Sequence, residues 1–503
     1  MPVPTFKVEA NWNADADFSD TGEDITLRVL KDAEVAAERG RNQIISRSPP
    51  LASDWRAVVN NVSGDYTATK VTSPLYPNVV SGREIRWSAT HSAVTYQIIR
   101  GYIKRIENHP EWGQQTVSLT AFSQLGRLVG AKGRSTQLYG DGTIANAIRS
   151  DQAMGYLFDA FGLTDTGLRA FDLGVSKFLW FWVRPEDEGF DLAIRILNSE
   201  GSGAALYDSP TNLSTFKSRH ARALDTRSKV VQKTYRDTDN GTDPWYVSPF
   251  KDDDGERHVV RACTAPYVSR VVDAANGEIW RYGSSLTLGP NEVRQIQVRP
   301  TSDDPIVSVV APALTTDYTL SSGGISSIVF DRTSGALLTM TVTATPDGAV
   351  ILGPSQATTG MRVQGKLARA AYTSDVANTV AGPGGVTGQQ VRLDGIPEME
   401  YAAIQSLCNA LVSLNGVPRP TVVMTVPLVT DVNIAAALSA EIGDRVRVIN
   451  SRRSFDKEMF VESIRVVAPP GRAPYVLLGC EQTTGTFFIL GTSAIDGTDG
   501  LSF

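Results

Sequence analysis

Residues 82–87 read GREIRW and residues 443–448 read GDRVRV. Each is a glycine, a charged pair, a β-branched residue, an arginine and a large apolar residue. Glycine supplies a turn, and a strand alternating apolar with charged residues buries one set and exposes the other. The echo runs on: Ile103 lies 21 residues after Gly82 and Ile464 lies 21 residues after Gly443, each inside a second β run. Third runs follow at Thr116–Ala121 and Tyr475–Cys480, with the offset slipped by two residues. Repeated strand identity and hairpin length predict two related small β-barrels, one at each end of the chain.

The 503 residues are 42% hydrophobic and 20% charged, which at roughly 100–200 residues per domain implies three or four domains. Forty-eight Lys and Arg against 54 Asp and Glu leave a net charge of −6, which excludes a chain that traps nucleic acid or acidic membranes by overall charge. Cys263, Cys408 and Cys480 are odd in number and far apart, so neither a disulfide framework nor a CxxC metal site is expected, and folding in a reducing cytoplasm is. The most apolar run, FLWFWV at Phe178–Val183, is far shorter than the ~18 residues of a membrane span. The first twenty residues lack the apolar core of a secretory signal.

The predicted fold class is mainly β (α+β) and multidomain. Residues 1–140 hold short alternating runs between Gly, Pro, Asn and Ser clusters, five or six strands of a first barrel. Within it, Pro74 and Pro77 are expected to hold SPLYPN (73–78) extended as it leads into the Gly82 turn. In 141–222 the period changes to an α/β unit. Ser150 starts a helix with Met154, Leu157, Phe158 and Phe161 on one face and Gly162 as its stop. A second helix is predicted over about Asp187–Glu200, with Phe190, Ala193, Ile194 and Leu197 as its stripe and Gly201 as its end; AALY and LSTF around a DSP turn then make a hairpin. Residues 223–395 read as a β-sandwich-like insert, with Thr373–Thr387 a loop because it lacks large apolar residues. Residues 396–503 supply a helix over about Glu398–Leu414, with Tyr401, Ile404, Leu407, Leu411 and Leu414 on one face, and then the C-terminal barrel.

Five motifs follow one another at the N-terminal end: Arg41-Asn42-Gln43, Asn61 to Tyr66, Ser73 to Asn78, Gly82 to Arg86, and Ile99 to Ile103. Their order resembles the first domain of tail-tip hub (minor tail, baseplate hub) proteins of long-tailed bacteriophages and related gene transfer agents, which carry an aromatic where this chain has Ile99. The helix opening at Arg149-Ser150-Asp151-Gln152 and the unit Asp191–Arg219 look like that family's second domain, and Glu441–Val446 its closing barrel. The resemblance covers most of residues 24–222 and 396–485, and none of its motifs is catalytic. It implies a structural virion protein without cofactor: a homotrimeric hub that closes the tail tube and adapts the six-fold tube to a three-fold tip. It further implies contact with the distal tail protein ring, the C-terminus of the tape measure protein and tail fibre or receptor-binding proteins. DNA would pass through the lumen, and the place of the protein would be the virion tail tip after assembly in the host cytoplasm. Two barrels per chain fit this, because three copies present six similar barrels in a ring.

No catalytic, cofactor-binding or metal-binding residue is expected. Glu186-Asp187-Glu188 sits where a helix N-terminus favours acids, and Asp252-Asp253-Asp254 with Glu256 reads as a turn. Asp237-x-Asp239-Asn240-Gly241 and Asp252-x-Asp254-Gly255 resemble the start of calcium loops but lack the glutamate at the twelfth position. His91, His109, His220 and His258 are isolated, and Cys263 and Cys408 lie on apolar faces as structural thiols. Seven basic residues between Lys217 and Arg236 against one acid, Asp225, read as a solvated or subunit-contact surface rather than a nucleic-acid site, since Tyr235 is the only aromatic among them. The alternative is a tail-borne polysaccharide or cell-wall hydrolase with its catalytic centre in the region from about Arg222 to Gly395, motivated by the acidic loops from Asp237 to Asp254, or a carbohydrate-binding insert presenting Trp245, Tyr246 and Trp280 on one face.

Overall fold

The computed structural model describes residues 3–483, apart from 16, 31–32, 43–47, 112–113, 134–137, 185, 254–257, 301, 303, 332–337, 355–359 and 380–387. Twelve strands form one sheet, ten from the two ends of the chain and two from residues 231–253. Its first half runs, from the outside in, Thr5–Asn11, Glu84–His91, Val94–Glu111, Gln114–Phe122, Pro50–Asn60 and Val35–Arg41. Its second half runs Val231–Arg236, Arg445–Asn450, Phe455–Ala468, Tyr475–Gln482, Thr421–Pro427 and Val247–Asp253. Numbered by place across its half, each set of six is laid down in the chain order 1, 6, 5, 2, 3, 4. One strand departs from the repeat: Thr5–Asn11 runs antiparallel to its neighbour and Val231–Arg236 parallel.

The echo read at Gly82 and Gly443 is a repeat of the hydrogen-bond ladder. Both glycines have left-handed φ, +89° and +88°. Gly82 N–H donates to the Ile103 carbonyl at 2.7 Å and Ile103 N–H returns to Arg83 at 2.8 Å; Gly443 N–H donates to Val461 at 2.8 Å and Val461 N–H returns to Asp444 at 2.9 Å. The ladder to the next strand then slips by one residue in both, between Ile103 and Arg105 and between Val461 and Ser463, which leaves Lys104 and Glu462 as the bulged residues. Ile103 faces Ala121 as Val461 faces Cys480. The equivalent of Ile103 is therefore Val461 and not Ile464, because the second hairpin has a six-residue first strand where the first has eight.

The mainly β, multi-sheet architecture matches the expected class, but pairing closes neither half into a barrel. Val35–Gly40, the innermost strand of the first half, pairs antiparallel with Ser463–Ala468 of the second, so the ladder continues across instead of returning on itself. One core accordingly serves both halves, with Trp12, Trp55, Trp87 and Ile103 from one and Tyr235, Val448, Val461 and Leu478 from the other. Two strands of the second half, Val231–Arg236 and Val247–Asp253, come from residues before the insert, which is thus hosted between the sixth and fifth strands of that half.

SPLYPN is a run of turns rather than an extended entry: Tyr76 N–H bonds the Ser73 carbonyl at 3.1 Å, Asn78 N–H bonds Leu75 at 2.7 Å, and Ser73 Oγ accepts the Leu75 N–H at 3.1 Å. Serine and asparagine close such turns locally, which overrides the preference of proline for extended chain. In the second half the helix Asp431–Leu438 occupies the equivalent connection.

The α/β unit holds helices Ser150–Ala160 and Gly189–Glu200 and the hairpin Ala205–Asp208 with Ser214–Lys217. The buried stripe of the second helix is Leu192, Ala193, Ile196 and Leu197, turned from the expected one by the later start at Gly189. In the insert, the 18-residue strand Arg362–Thr379 is a spine shared by its inner and outer parts. Thr373–Thr379 is strand, paired with Ala262–Val268, and only Val376 of its apolar residues is buried; main-chain bonding holds it where large side chains are absent. Residues 380–387 of the expected loop lie outside the described residues. The helix Tyr401–Asn415 buries Ile404, Leu407, Leu411 and Val412 against this root, while Tyr401 and Leu414 stay exposed.

Gly40 has φ +109°, and a Cβ there would fall on the carbonyl oxygen of Glu462 across the junction. A Cβ at Gly82 would meet nothing within 4 Å beyond its chain neighbours. Gly82→Ala is therefore expected to cost only the conformational strain, about 1–2 kcal/mol, and Gly40→Ala more, about 3 kcal/mol or above. Urea unfolding followed by tryptophan fluorescence measures both, and equal losses would contradict the close approach at Gly40.

Candidate assembly interface

A charged clasp lies over the junction of the two halves. The bulge at Glu462 turns its carboxylate inward, and the strand end at Arg41 brings a guanidinium to it: Arg41 Nε donates to Glu462 Oε2 at 2.7 Å, with both side chains almost wholly buried. Arg41 also donates to the carbonyls of Ser48, at 2.8 Å, and Ala204. Arg222, from the end of the α/β unit, takes the other oxygen of Glu462 and lies 4.7 Å over the Phe460 ring. Glu481 stands 4.0 Å from Arg222, and the buried Arg419 faces the same two acids. Burial lowers the proton affinity of the Arg41 guanidinium, and Glu462 opposes it. Next along, Arg39 bonds Glu441 at 2.6 Å and the Ala440 carbonyl at 2.9 Å.

Two further buried acids fix the α/β unit. Asp208 accepts Ser214 Oγ at 2.7 Å, the Leu125 N–H at 3.0 Å and Ser123 Oγ, and burial raises its pKa. Glu200 accepts the N–H groups of Val175 at 2.9 Å and Ser176 at 2.7 Å. Sequence reading passed over Glu462, Asp208 and Glu200, since each is a single acid in an ordinary strand or helix. Arg41 was noted only as part of a motif.

The edges of the sheet are the second feature. Within the chain, Ser463–Ala468 receives the innermost strand of the first half. Its counterpart by the ladder repeat is Arg105–Pro110, which among the described residues pairs on one side only, with Gln115–Thr120. The counterpart of Val35–Arg41 is Val247–Asp253, whose strand pairing among the described residues is with Thr421–Thr425. The two strands that would make a second junction, Arg105–Pro110 and Val247–Asp252, are therefore both present, and among the described residues they do not pair with each other.

The residues weighed for chemistry are dispersed into structural roles. Glu188 accepts the Gly130 N–H at 2.7 Å, Asp187 accepts the Arg184 N–H at 2.8 Å, and Glu186 approaches Arg299 at 3.8 Å. Asp237 accepts the Ser451 N–H at 2.9 Å, Asp239 closes a turn on Gly241 at 2.9 Å, and Asp252 pairs with Arg453. Asp254 and Glu256 lie outside the described residues. His91 bonds Asp431 at 2.8 Å and His109 bonds Ser118 at 3.0 Å. Cys263 and Cys408 are buried with their sulfurs 3.4 Å apart, joining the insert's root to the Tyr401–Asn415 helix. Tyr246 is buried with its hydroxyl on the Ile449 carbonyl while Trp280 packs beside Tyr282 in the outer insert, so the aromatics do not share a face. The basic run is not a free surface: Lys217 pairs with Asp172 and Asp225, Arg222 with Glu462, Arg227 with Asp444 and Arg236 with Asp243. Glu462 and Asp444 are distant in sequence from Arg222 and Arg227 and Asp243 lies just beyond the run, which is why the run looked uncompensated.

A cleft of ≈ 280 Å³ lies between the α/β unit and the insert's root. Arg270 in it is spent on Glu398 and Asp304 and covers Trp182, and Arg184 and Arg195 flank Asp187 at 3.9 Å.

No protein-family model matches the chain, and no curated protein matches it in sequence. Among its structural neighbours are proteins described as tail or prophage tail proteins. A tail protein from Neisseria meningitidis is 9% identical, with a TM-score of 0.49 over 95% of this chain and 96% of that one. The 43 kDa tail protein of prophage MuSo2 from Shewanella oneidensis is 10% identical, with a TM-score of 0.48 over 95% and 98%. An Escherichia coli component of the type VI secretion system, described as structurally similar to the T4 tail proteins gp27 and gp5, is 8% identical with a TM-score of 0.36 over 91% and 74%.

Arg41 and Arg222 share Glu462, so Arg41→Met leaves one of the acid's two cations and is expected to destabilise by about 1–3 kcal/mol, while Glu462→Leu strands two buried guanidinium groups and is expected to cost more, about 3–5 kcal/mol. Contacting residues are not additive, so the double variant is expected to lose less than the sum of the two single changes. Thermal melting of the parent, the two single variants and the double variant measures this, and a loss in the double variant equal to that sum would contradict the pairing.

Proposed function

We propose that the chain is a structural, non-enzymatic hub of a bacteriophage tail tip, working as a homotrimeric ring. The observation that carries this reading is the ladder repeat together with its two unpaired edges. If the junction inside the chain is repeated between chains, Val247–Asp253 of one copy adds to Arg105–Pro110 of the next. Such a contact is head-to-tail, and it closes into a ring when its rotation divides a full turn. An exposed strand edge is otherwise a liability that folded proteins cover. Three copies then set six related half-sheets around one axis, a three-fold body with a nearly six-fold rim.

In this reading 1–140 and 396–503, with the strands Val231–Arg236 and Val247–Asp253, give the ring, 141–222 braces it, and the rest of 223–395 projects outward. A six-fold rim suits the distal tail protein ring on one side, and the lumen suits the tape measure C-terminus before DNA passes. Tail fibre or receptor-binding proteins are carried at the tip, which places the protein in the virion tail after assembly in the host cytoplasm. Of the acids weighed for hydrolysis, Asp237 and Asp239 serve turns and N–H groups and Asp252 an ion pair, which supports the structural reading over the hydrolase alternative.

Successive residues of a strand send their N–H groups to opposite sides. Of Glu107→Pro and Asn108→Pro, one removes an inward hydrogen bond and lowers the melting temperature. The other is expected to melt like the parent and fail to assemble. Mass measurement with electron microscopy reads the result. A parent chain that stays strictly monomeric at high concentration, with no rings, would overturn the proposal.

A further inference from the structure

The segment after the first strand, Trp12–Asp24, folds back on that strand: Ala10 N–H donates to the Glu23 carbonyl at 2.9 Å and Ile25 N–H to Val8 at 3.0 Å. Phe18 at its tip lies beneath Arg86, 4.4 Å from the guanidinium, so the segment covers the outer strands of the first half. It carries Asp15, Asp17, Asp20, Glu23 and Asp24. Among the described residues no basic side chain pairs with Asp15, Asp20 or Glu23; Lys7 is taken by Glu9 and approaches only Asp24, at 3.9 Å.

Two of the oxygens are buried and unsatisfied. Glu23 is 1% exposed; its Oε2 accepts the Asp20 N–H at 3.0 Å, while no hydrogen bond reaches its Oε1. Asn11 is likewise 1% exposed; its Nδ2 donates to the Asp15 carbonyl at 2.7 Å, and its Oδ1 has no partner. The Asn13 amide stands between the carboxylates of Asp15, at 2.9 Å, and Asp20. Amide nitrogen and oxygen are interchangeable by a half-turn, which would put a second neutral oxygen beside two acids. The carboxylates of Asp15 and Asp20 stand near enough to that of Glu23 to repel it. A buried carboxylate without a counter-ion is costly, and this one faces two more.

We propose that Asn11, Asn13, Asp15, Asp20 and Glu23 form a calcium site that fastens this segment to the first half of the sheet. Hard carboxylate and amide oxygens without His or Cys suit calcium and not zinc or copper, and an irregular loop suits the flexible coordination of calcium better than the strict octahedron of magnesium. Among the described residues no three His, Cys, Asp or Glu side chains already stand close enough together to hold a metal ion, so binding has to draw the carboxylates of Asp15, Asp20 and Glu23 inward around the asparagine oxygens. The site is distinct from the loops at Asp237 and Asp252, whose acids are already spent on N–H groups or arginine.

The test uses the full chain. Trp12 is buried within the segment and serves as the sensitiser, so terbium added to the protein is expected to luminesce on tryptophan excitation and to be displaced by calcium but poorly by magnesium. Calcium at about 1 mM, the weak end of protein affinities, is expected to raise the melting temperature over that in chelator. Glu23→Gln and Asp20→Asn are each expected to weaken calcium binding at least about tenfold, the loss that even outer-shell partners of a metal give. In chelator Glu23→Gln melts no lower than the parent, since it removes an unpaired buried charge, so loss of binding is separable from loss of fold. No sensitised luminescence and no calcium-dependent shift in the parent, or calcium binding unchanged in both variants, would overturn the proposal.

Discussion

The strand Val35–Arg41 has to satisfy two edges at once. On one side it pairs with Pro50–Asn60 of its own half, and on the other with Ser463–Ala468, more than four hundred residues away in sequence. That second pairing turns two sets of six strands into one sheet with a common core, and it is possible because Gly40 lets the backbones approach where a side chain would collide. At its end Arg41 meets the bulged Glu462, and Arg222 closes the same carboxylate from the α/β unit. Three parts of the chain thus converge on one buried acid, so each holds the others in register. Loop closure over such a separation is entropically expensive, and the long ladder and the charge clasp are what offset it.

The remaining parts hang from this frame. Asp208 ties the hairpin of the α/β unit to the turn after Gln114–Phe122 through Ser123 and Leu125, so the unit sits against the first half. The insert enters and leaves between neighbouring strands of the second half, and its root packs on Tyr401–Asn415 through the core that also serves the α/β helices. Its outer part has a separate core around Met340, Ile351 and Val363. The outer part can therefore vary in shape without touching the junction, which suits a module added to a ring.

Much of this was legible residue by residue. Period-3.6 apolar spacing located the helices near Ser150, Asp187 and Glu398 to within a few residues, and Gly82 and Gly443 marked equivalent turns because both need left-handed φ. Other features were hidden for physical reasons. The strand at Thr373–Thr379 has few large side chains, so nothing in its pattern distinguishes it from a loop; main-chain pairing alone makes it a strand. The basic run from Lys217 to Arg236 looked like a free surface because Glu462 and Asp444 lie over two hundred residues away from Arg222 and Arg227. The orphaned oxygens of Asn11 and Glu23 are invisible in sequence, since satisfaction of a hydrogen bond is a property of the neighbours and not of the residue.

The sequence by itself determined the local vocabulary: which stretches are strands, where the helices begin and stop, and that two glycine-led hairpins repeat. Those are consequences of side-chain period and backbone freedom, and both act over a few residues. Only the tertiary structure decided that the two sets of strands share one sheet, that the insert belongs within the second set, and that Arg105–Pro110 and Val247–Asp253 remain as unpaired edges. Strand pairing is made by main-chain groups that every sequence carries alike, so which edge meets which is settled by shape and burial across the whole chain.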